Sequence, residues 1–162
     1  MRCSNSLAPE SSFFEFLERS LGVLARECPR AYRRALDCLG PRRLSLCVDD
    51  EAMSLAAAEG RHVLDRDARP GDVHVRFDRP LVLALLDART SLVDAALNGD
   101  LILKGPGDAL VVFDDVLKAF VHGLARCVSA PHLLDSYRRE TPSRRGASSG
   151  SIHRHLGDEH GR

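Results

Sequence analysis

Tryptophan is absent from this chain, tyrosine occurs twice and phenylalanine six times. So few rings give no platform on which successive single-stranded bases could stack. Charge of one sign is lacking too: 23 basic side chains balance 23 acidic ones, so no global field draws a polyanion in. Nucleic-acid binding is not expected. Long apolar runs are also missing. The longest, Leu81 to Leu86, falls far short of the roughly 20 residues that a membrane-spanning helix needs. The stretch Met1 to Ser6 has none of the continuous apolar character of a signal peptide, and Asp158-Glu159-His160-Gly161-Arg162 carries no peroxisomal address. Five cysteines (Cys3, Cys28, Cys38, Cys47, Cys127) make an odd count without Cys-x-x-Cys spacing, which suits free, reduced thiols in the cytoplasm.

What is present is ordinary globular material. Of the 162 residues, 44% are hydrophobic and 28% charged, enough for one domain with a core. Ser12 followed by Glu15 reads as a capping box ahead of Phe13, Phe16, Leu17, Leu21 and Leu24 at helical spacing. Pro29 opens a second short helix to Leu39, and Gly40-Pro41 ends it. Leu44, Leu46 and Val48 alternate with Arg43, Ser45 and Cys47, predicting a half-buried strand. Met53–Ala58 and His62–Arg66 read as a hairpin turning at Glu59-Gly60. Val73, Val75 and Phe77 alternate with His74, Arg76 and Asp78 in the clearest strand of the chain.

Asp78-Arg79-Pro80 starts a helix that runs through Leu86-Asp87, and Ser91 with Asp94 caps a shorter one stopped by Asn98-Gly99. Leu101–Lys104 is a strand. Gly105-Pro106-Gly107 turns the chain, and Asp108 is expected to cap a last long helix striped by Leu110, Phe113, Leu117, Phe120, Leu124 and Cys127. After Tyr137 the composition changes: residues 138–162 hold six Arg and three His, with only Ala147, Ile152 and Leu156 as apolar side chains. Such a stretch cannot offset its own ordering entropy. The expected organisation is a flexible N-terminus (1–10), one domain over 11–137 with a helical front segment (11–39) and a core (42–128), and a disordered tail (138–162).

Little in these elements could do chemistry. Gly105-Pro106-Gly107-Asp108 lacks the later glycine and the lysine of phosphate loops, and an acidic residue at the helix start repels phosphate. Cys47 and Cys127 could be paired with His62, His74, His122 or His132, but no nucleophile signature surrounds them. Asp49-Asp50-Glu51 could attract a divalent cation, though consecutive carboxylates without the spacing of a calcium loop read better as a solvated turn. His153, His155 and His160 form a weak chelating trio of the incidental kind. Asp114 with Lys118 reads as an i,i+4 ion pair on a solvated face. The tail could touch anionic lipid transiently, but its acidic residues favour a solubilising role. No metal or cofactor is expected.

The run Asp72-Val73-His74-Val75-Arg76-Phe77-Asp78, the apolar helix Leu81–Asp87, and Ser91-Leu92-Val93-Asp94-Ala95-Ala96-Leu97-Asn98-Gly99-Asp100-Leu101-Ile102-Leu103-Lys104-Gly105 together resemble the sterol carrier protein 2 (SCP2) sterol-binding domain family. The likeness spans about residues 70–125, is loose over 42–69 and does not reach the tail. Two departures stand out. Members often carry Gly and then Lys or Arg after the lipid-facing helix, where this chain has Ala88-Arg89, and the middle strands lack aromatics. The resemblance implies an α+β fold: a curved, mainly antiparallel sheet of about five strands covered by helices, with an apolar tunnel between them. It implies binding or transfer of a fatty acyl, sterol-like or isoprenoid lipid, and no catalytic machinery. On that implication the pocket candidates are Phe77, Leu83, Leu86, Leu97, Leu103, Phe113, Leu117 and Phe120. As a second reading, the same fold serves as an interaction or dimerisation module, through apolar surface exposed by Phe13, Phe14 and Phe16. A third makes the chain an accessory to a lipid-modifying enzyme, or an enzyme using Cys47 or Cys127. Monomer and homodimer both stay open.

Overall fold

The computed structural model describes residues 12–67 and 69–141. The flexible segment expected at 1–10, the histidine trio and the tail from residue 142 onward lie outside the described residues.

Two helices come first, α1 (Phe13–Glu27) and α2 (Pro29–Leu39). The α1 N-terminus is held from two sides. The Ser12 hydroxyl accepts from the Glu15 amide at 3.2 Å, as its sequence position predicts. The Glu51 carboxylate, 38 residues away, accepts from the amides of Phe13 (2.8 Å) and Phe14 (3.3 Å). Glu51 is thus no member of a solvated acidic turn: it satisfies amide donors that a helix start leaves free.

The sheet follows: β1 (Arg43–Val48), β2 (Glu51–Ala58), β3 (Arg61–Asp65), β4 (Val73–Phe77) and, after two helices, β5 (Ile102–Lys104). The spatial order is β3-β2-β1-β4-β5. β1 pairs antiparallel with β2 but parallel with β4, and the outer pairs are antiparallel. Asp49 turns the first hairpin at φ 53°, while Glu59 and Gly60 turn the second at 52° and 72°, the paired positive angles of the tight hairpin turn foreseen there. Leu44, Leu46 and Val48 pair across with Leu55, Met53 and Glu51 and with Val73, Val75 and Phe77. One inward apolar face results. Ser45, Cys47, His74, Arg76 and Lys104 share the other, since side chains alternate along a strand.

Between β4 and β5 lie α3 (Arg79–Leu86) and α4 (Leu92–Leu97). Asp78 caps the first, accepting from the Leu81 amide at 2.8 Å, and Ser91 caps the second from Asp94 at 3.1 Å. Both end in the same C-terminal motif. Asp100 N donates to Ala95 O at 2.9 Å around Gly99, and Arg89 N donates to Ala84 O at 2.8 Å around Ala88. Gly99 holds φ 77° and Ala88 φ 54°. The first is at ease there, but an L side chain pays about 1–2 kcal/mol in that region. Ala88→Gly is therefore expected to stabilise the fold by about 0.5–1 kcal/mol after the added entropy of the unfolded chain, raising the melting midpoint by about 2–4 °C. A lower midpoint in a thermal melt would show that Ala88 is not strained.

The last long helix, α5 (Ala109–Leu124), stops three residues before Cys127. Asp108 precedes it but does not cap it with its side chain: at φ −93°, ψ 2° its backbone is not extended as caps usually are, and its carboxylate takes Arg42 at 2.6 Å instead. A further helix, α6 (Ala130–Glu140), has no counterpart in the sequence reading. It carries the chain three residues past the boundary drawn at Tyr137, and Arg138 there pairs with Asp87 and Asp135. Its anchor is Tyr137, whose ring stacks on Phe16 at 4.2 Å and 23°. Phe13, Phe14 and Phe16 are only 5%, 8% and 5% exposed. The expectation of an apolar patch at the front is overturned, because α6 and the Glu51 edge of the sheet close over these rings.

Candidate ligand chamber

Between the inward sheet face and the helices α1, α2 and α5 lies a hollow of about 80 Å³ bounded only by apolar side chains. Each wall follows from local periodicity. Phe13, Leu17 and Leu21, four residues apart on α1, form one side. Leu36 and Leu39 of α2 and alternate residues of β1 (Leu44, Leu46) form the next. Phe113, Val116, Leu117 and Phe120 of α5 close it, with Phe77 at the end of β4. The Phe77 and Phe113 rings are 6.4 Å apart, and those of Phe13 and Phe77 meet edge to face at 6.1 Å.

Four of the eight pocket candidates (Phe77, Phe113, Leu117, Phe120) line this hollow. Leu83 is buried, and Leu86 and Leu103 pack half-buried against the core, but none of the three borders it. Leu97 is 81% exposed and must be removed from the set. On a six-residue helix whose buried residues are Leu92 and Ala95, it falls at the last position, beside the Asn98-Gly99 stop. The sequence reading missed the walls supplied by α1, α2 and β1. Their signal was there, in the spacing of Phe13, Leu17 and Leu21 and the alternation of Leu44 and Leu46, but the candidates came from the stretch with the family likeness.

Size and polarity bound what the hollow can hold. A dry engineered cavity of about 150 Å³ accommodates benzene, so about 80 Å³ takes only a fragment of a lipid until the walls part. Its lining offers no hydrogen-bonding side chain.

The titratable groups nearby are structural. Cys127 is buried with its thiol donating to Gly123 O at 3.4 Å; burial, followed by a hydrogen bond with Cys28, pushes its pKa up to about 12, which leaves almost no thiolate for nucleophilic work. Cys47 lies half-buried on the outer sheet face, its thiol 3.5 Å from Asp49 O. Among the described residues no three His, Cys, Asp or Glu side chains form a group that could hold a metal ion.

Tyr32 on α2 and His62 on β3 make a latch: the hydroxyl meets His62 Nδ1 at 2.7 Å and accepts from the His62 backbone amide at 2.9 Å. Desolvation lowers the His62 pKa below its ordinary 6.5, with Glu18 opposing. The folded state therefore favours neutral His62, and this contribution is full above pH 6.5 and lost as pH falls from there through the lowered folded-state value. The urea midpoint of the wild type is expected to drop between pH 7.5 and 5.5 more steeply than that of His62→Phe. Equal pH slopes would exclude His62 as the source.

No helix among the described residues is long and apolar enough to cross a membrane. No protein-family model matches the chain, and no curated protein matches it in sequence. Solved structures do match. The chain is similar to the solution structure of sterol carrier protein domain 2 of Helicoverpa armigera (TM-score 0.53, 12% identity, 74% of this chain and 96% of that one covered). It is similar to the apo form of sterol carrier protein 2 from Yarrowia lipolytica (TM-score 0.52, 11% identity, 70% and 96% covered), and to a UbiJ-SCP2 ubiquinone synthesis protein (TM-score 0.50, 18% identity, 64% and 90% covered). With a mixed, open five-stranded sheet roofed by helices around an apolar hollow, the chain has the fold of a sterol carrier protein 2 domain.

Proposed function

We propose that the protein binds and transfers a lipid with a long apolar body, fatty acyl, sterol-like or isoprenoid, and that it acts by holding the molecule rather than by transforming it. The observation that carries this reading is the wholly apolar lining of the chamber between sheet and helices, in a fold whose solved neighbours include sterol carrier proteins. A pocket of this kind recognises its cargo by burial of apolar surface, with polar groups setting orientation. A ligand of some 25–30 heavy atoms at roughly 0.3 kcal/mol per atom would gain about 8 kcal/mol. That is about micromolar affinity, suited to a carrier that must also let go.

The interaction-module reading rested on exposed front aromatics, and those rings are buried. A role beside a lipid-modifying enzyme is compatible with a carrier, which would then deliver its cargo to that enzyme. Native mass spectrometry of the protein purified from a bacterial host, followed by lipid extraction, tests the proposal. A stoichiometric co-purifying lipid is expected. A clean apo mass that persists after incubation with fatty acids, sterols and phospholipids would refute it.

A further inference from the structure

Two cysteines meet where α1 hands over to α2 and α5 comes to its end. Leu24 lies hard against Gly123 there: a Cβ built on the glycine would stand 2.5 Å from Leu24 Cδ1. Four positions further along each segment come Cys28 and Cys127. The Cys28 amide donates to Leu24 O at 2.9 Å, and the Cys127 thiol donates to Gly123 O at 3.4 Å. Alongside, the Glu27 carboxylate accepts from the Ser129 amide at 3.1 Å and from the Ser129 hydroxyl. Leu24 against Gly123 and Glu27 against Ser129 thus bracket the two cysteines, and Cys28 packs against the core cluster that contains Cys127. Their thiols share a hydrogen bond.

The two differ in access. Cys28 is half-buried, whereas Cys127 is only 4% exposed. A small neutral oxidant therefore meets Cys28 first. Cys127, with almost no thiolate of its own, is placed to answer that oxidation, and its fixed nearness offsets the scarcity of thiolate. The location gives a bond between them a consequence. Helices α1, α2 and α5 wall the chamber, and its volume of about 80 Å³ admits a whole lipid only when those walls part. A covalent tie from the α1–α2 joint to the end of α5 opposes that movement.

Building on the lipid-binding reading above, we propose that Cys28 and Cys127 are a peroxide-sensitive thiol pair whose disulfide locks the chamber against loading. Hydrogen peroxide oxidises the Cys28 thiol to a sulfenic acid, and the broken O–O bond releases one water. The Cys127 sulfur then attacks the Cys28 sulfur. The S–O bond breaks, and the departing hydroxide takes the Cys127 proton as a second water. Two thiols are oxidised for one peroxide reduced, and a dithiol reductant reverses the change.

The test treats the full chain, reduced and lipid-free, with hydrogen peroxide at pH 7.5. Its disulfides are mapped by peptide mass, its melting midpoint is measured, and its uptake of palmitate, cholesterol and phosphatidylcholine is followed by native mass spectrometry. A peptide joining Cys28 to Cys127 is expected. The bond closes a loop of about 100 residues, so the midpoint should rise by about 10 °C. Uptake of whichever lipid the reduced protein takes should slow about tenfold or more, equivalent to about 1.4 kcal/mol on the opening barrier, and recover in dithiothreitol. Cys28→Ser given the same peroxide should load as reduced wild type does. Absence of the Cys28–Cys127 peptide, or a bond to Cys38 or Cys47 in its place, overturns the inference. So does a mapped Cys28–Cys127 bond that leaves uptake unchanged, or a peroxide effect on uptake that persists in Cys28→Ser. Reduced wild type that takes up none of the three lipids refutes lipid binding itself and the lock with it, whereas the other failures occur in protein that loads normally when reduced.

Discussion

Gly123→Val is expected to cost the protein about 3 kcal/mol or more, a large share of the 5–15 kcal/mol that holds an ordinary domain together. A Cβ built at Gly123 would stand 2.5 Å from Leu24 Cδ1 and 2.8 Å from Ala31 Cβ. Leu24 is completely buried, so its side chain has little room to retreat. Ala31 Cβ cannot turn away at all, because it is fixed to the α2 backbone. Relief requires α2 to move off α5, and these helices supply two of the chamber walls. Overpacking typically costs about 1–3 kcal/mol, and a β-branched residue adds two further atoms to the clash. Gly123→Ala isolates the first methyl. On an exposed helix it would gain about 1 kcal/mol in propensity, yet here it is expected to lower the urea midpoint. An alanine variant as stable as the wild type would mean that α1, α2 and α5 are not drawn together at this point.

Phe113→Asp is expected to abolish lipid binding. Phe113 is a buried ring on the chamber wall. Truncating such a ring costs about 3–5 kcal/mol, and a carboxylate in its place has no partner in an apolar lining. Because this variant can fail simply by unfolding, it is paired with Val116→Phe, which narrows the same hollow with apolar atoms and is expected to cost about 1–3 kcal/mol. Lipid occupancy by native mass spectrometry, beside a thermal melt, separates the two effects: Val116→Phe should stay folded and carry less lipid. A folded Phe113→Asp protein that carries lipid normally would remove that residue from the site.

The features legible in the chain were those whose chemistry closes within a few residues. Ser12, Asp78 and Ser91 cap the helices they precede. Glu59-Gly60 turns its hairpin, and Asn98-Gly99 ends α4 in a left-handed residue. Ala88 shows the same logic from the other side. The departure from the family pattern noted there falls where the backbone adopts φ 54°, a position suited to glycine. Where local reasoning went wrong, a distant group had intervened: Arg42 draws the Asp108 carboxylate away from its helix, and Phe16 recruits Tyr137, so a helix forms where composition suggested the domain was ending.

The candidate site divides along the same line. Phe77, Phe113, Leu117 and Phe120 belong to strongly patterned elements, and they meet in the chamber. Leu97 belongs to a helix too short to show which face turns inward, and it points to solvent. Periodicity reveals that an element has an apolar face; it does not say which other faces that one will meet.

From sequence alone, then, came the order and kind of most elements, their local caps and turns, and the expectation of an apolar interior without catalytic groups. The elements, caps and turns rest on contacts among residues within about four positions or on alternation along one strand, and the expectation about the interior on missing motifs and the family resemblance. The tertiary structure alone decided that β1 pairs parallel with β4, that Glu51 holds the start of α1, that the front aromatics are buried, and that Tyr137 and Arg79 share one buried spot. Each of these joins groups tens of residues apart in the chain, whose meeting depends on how every element between them packs.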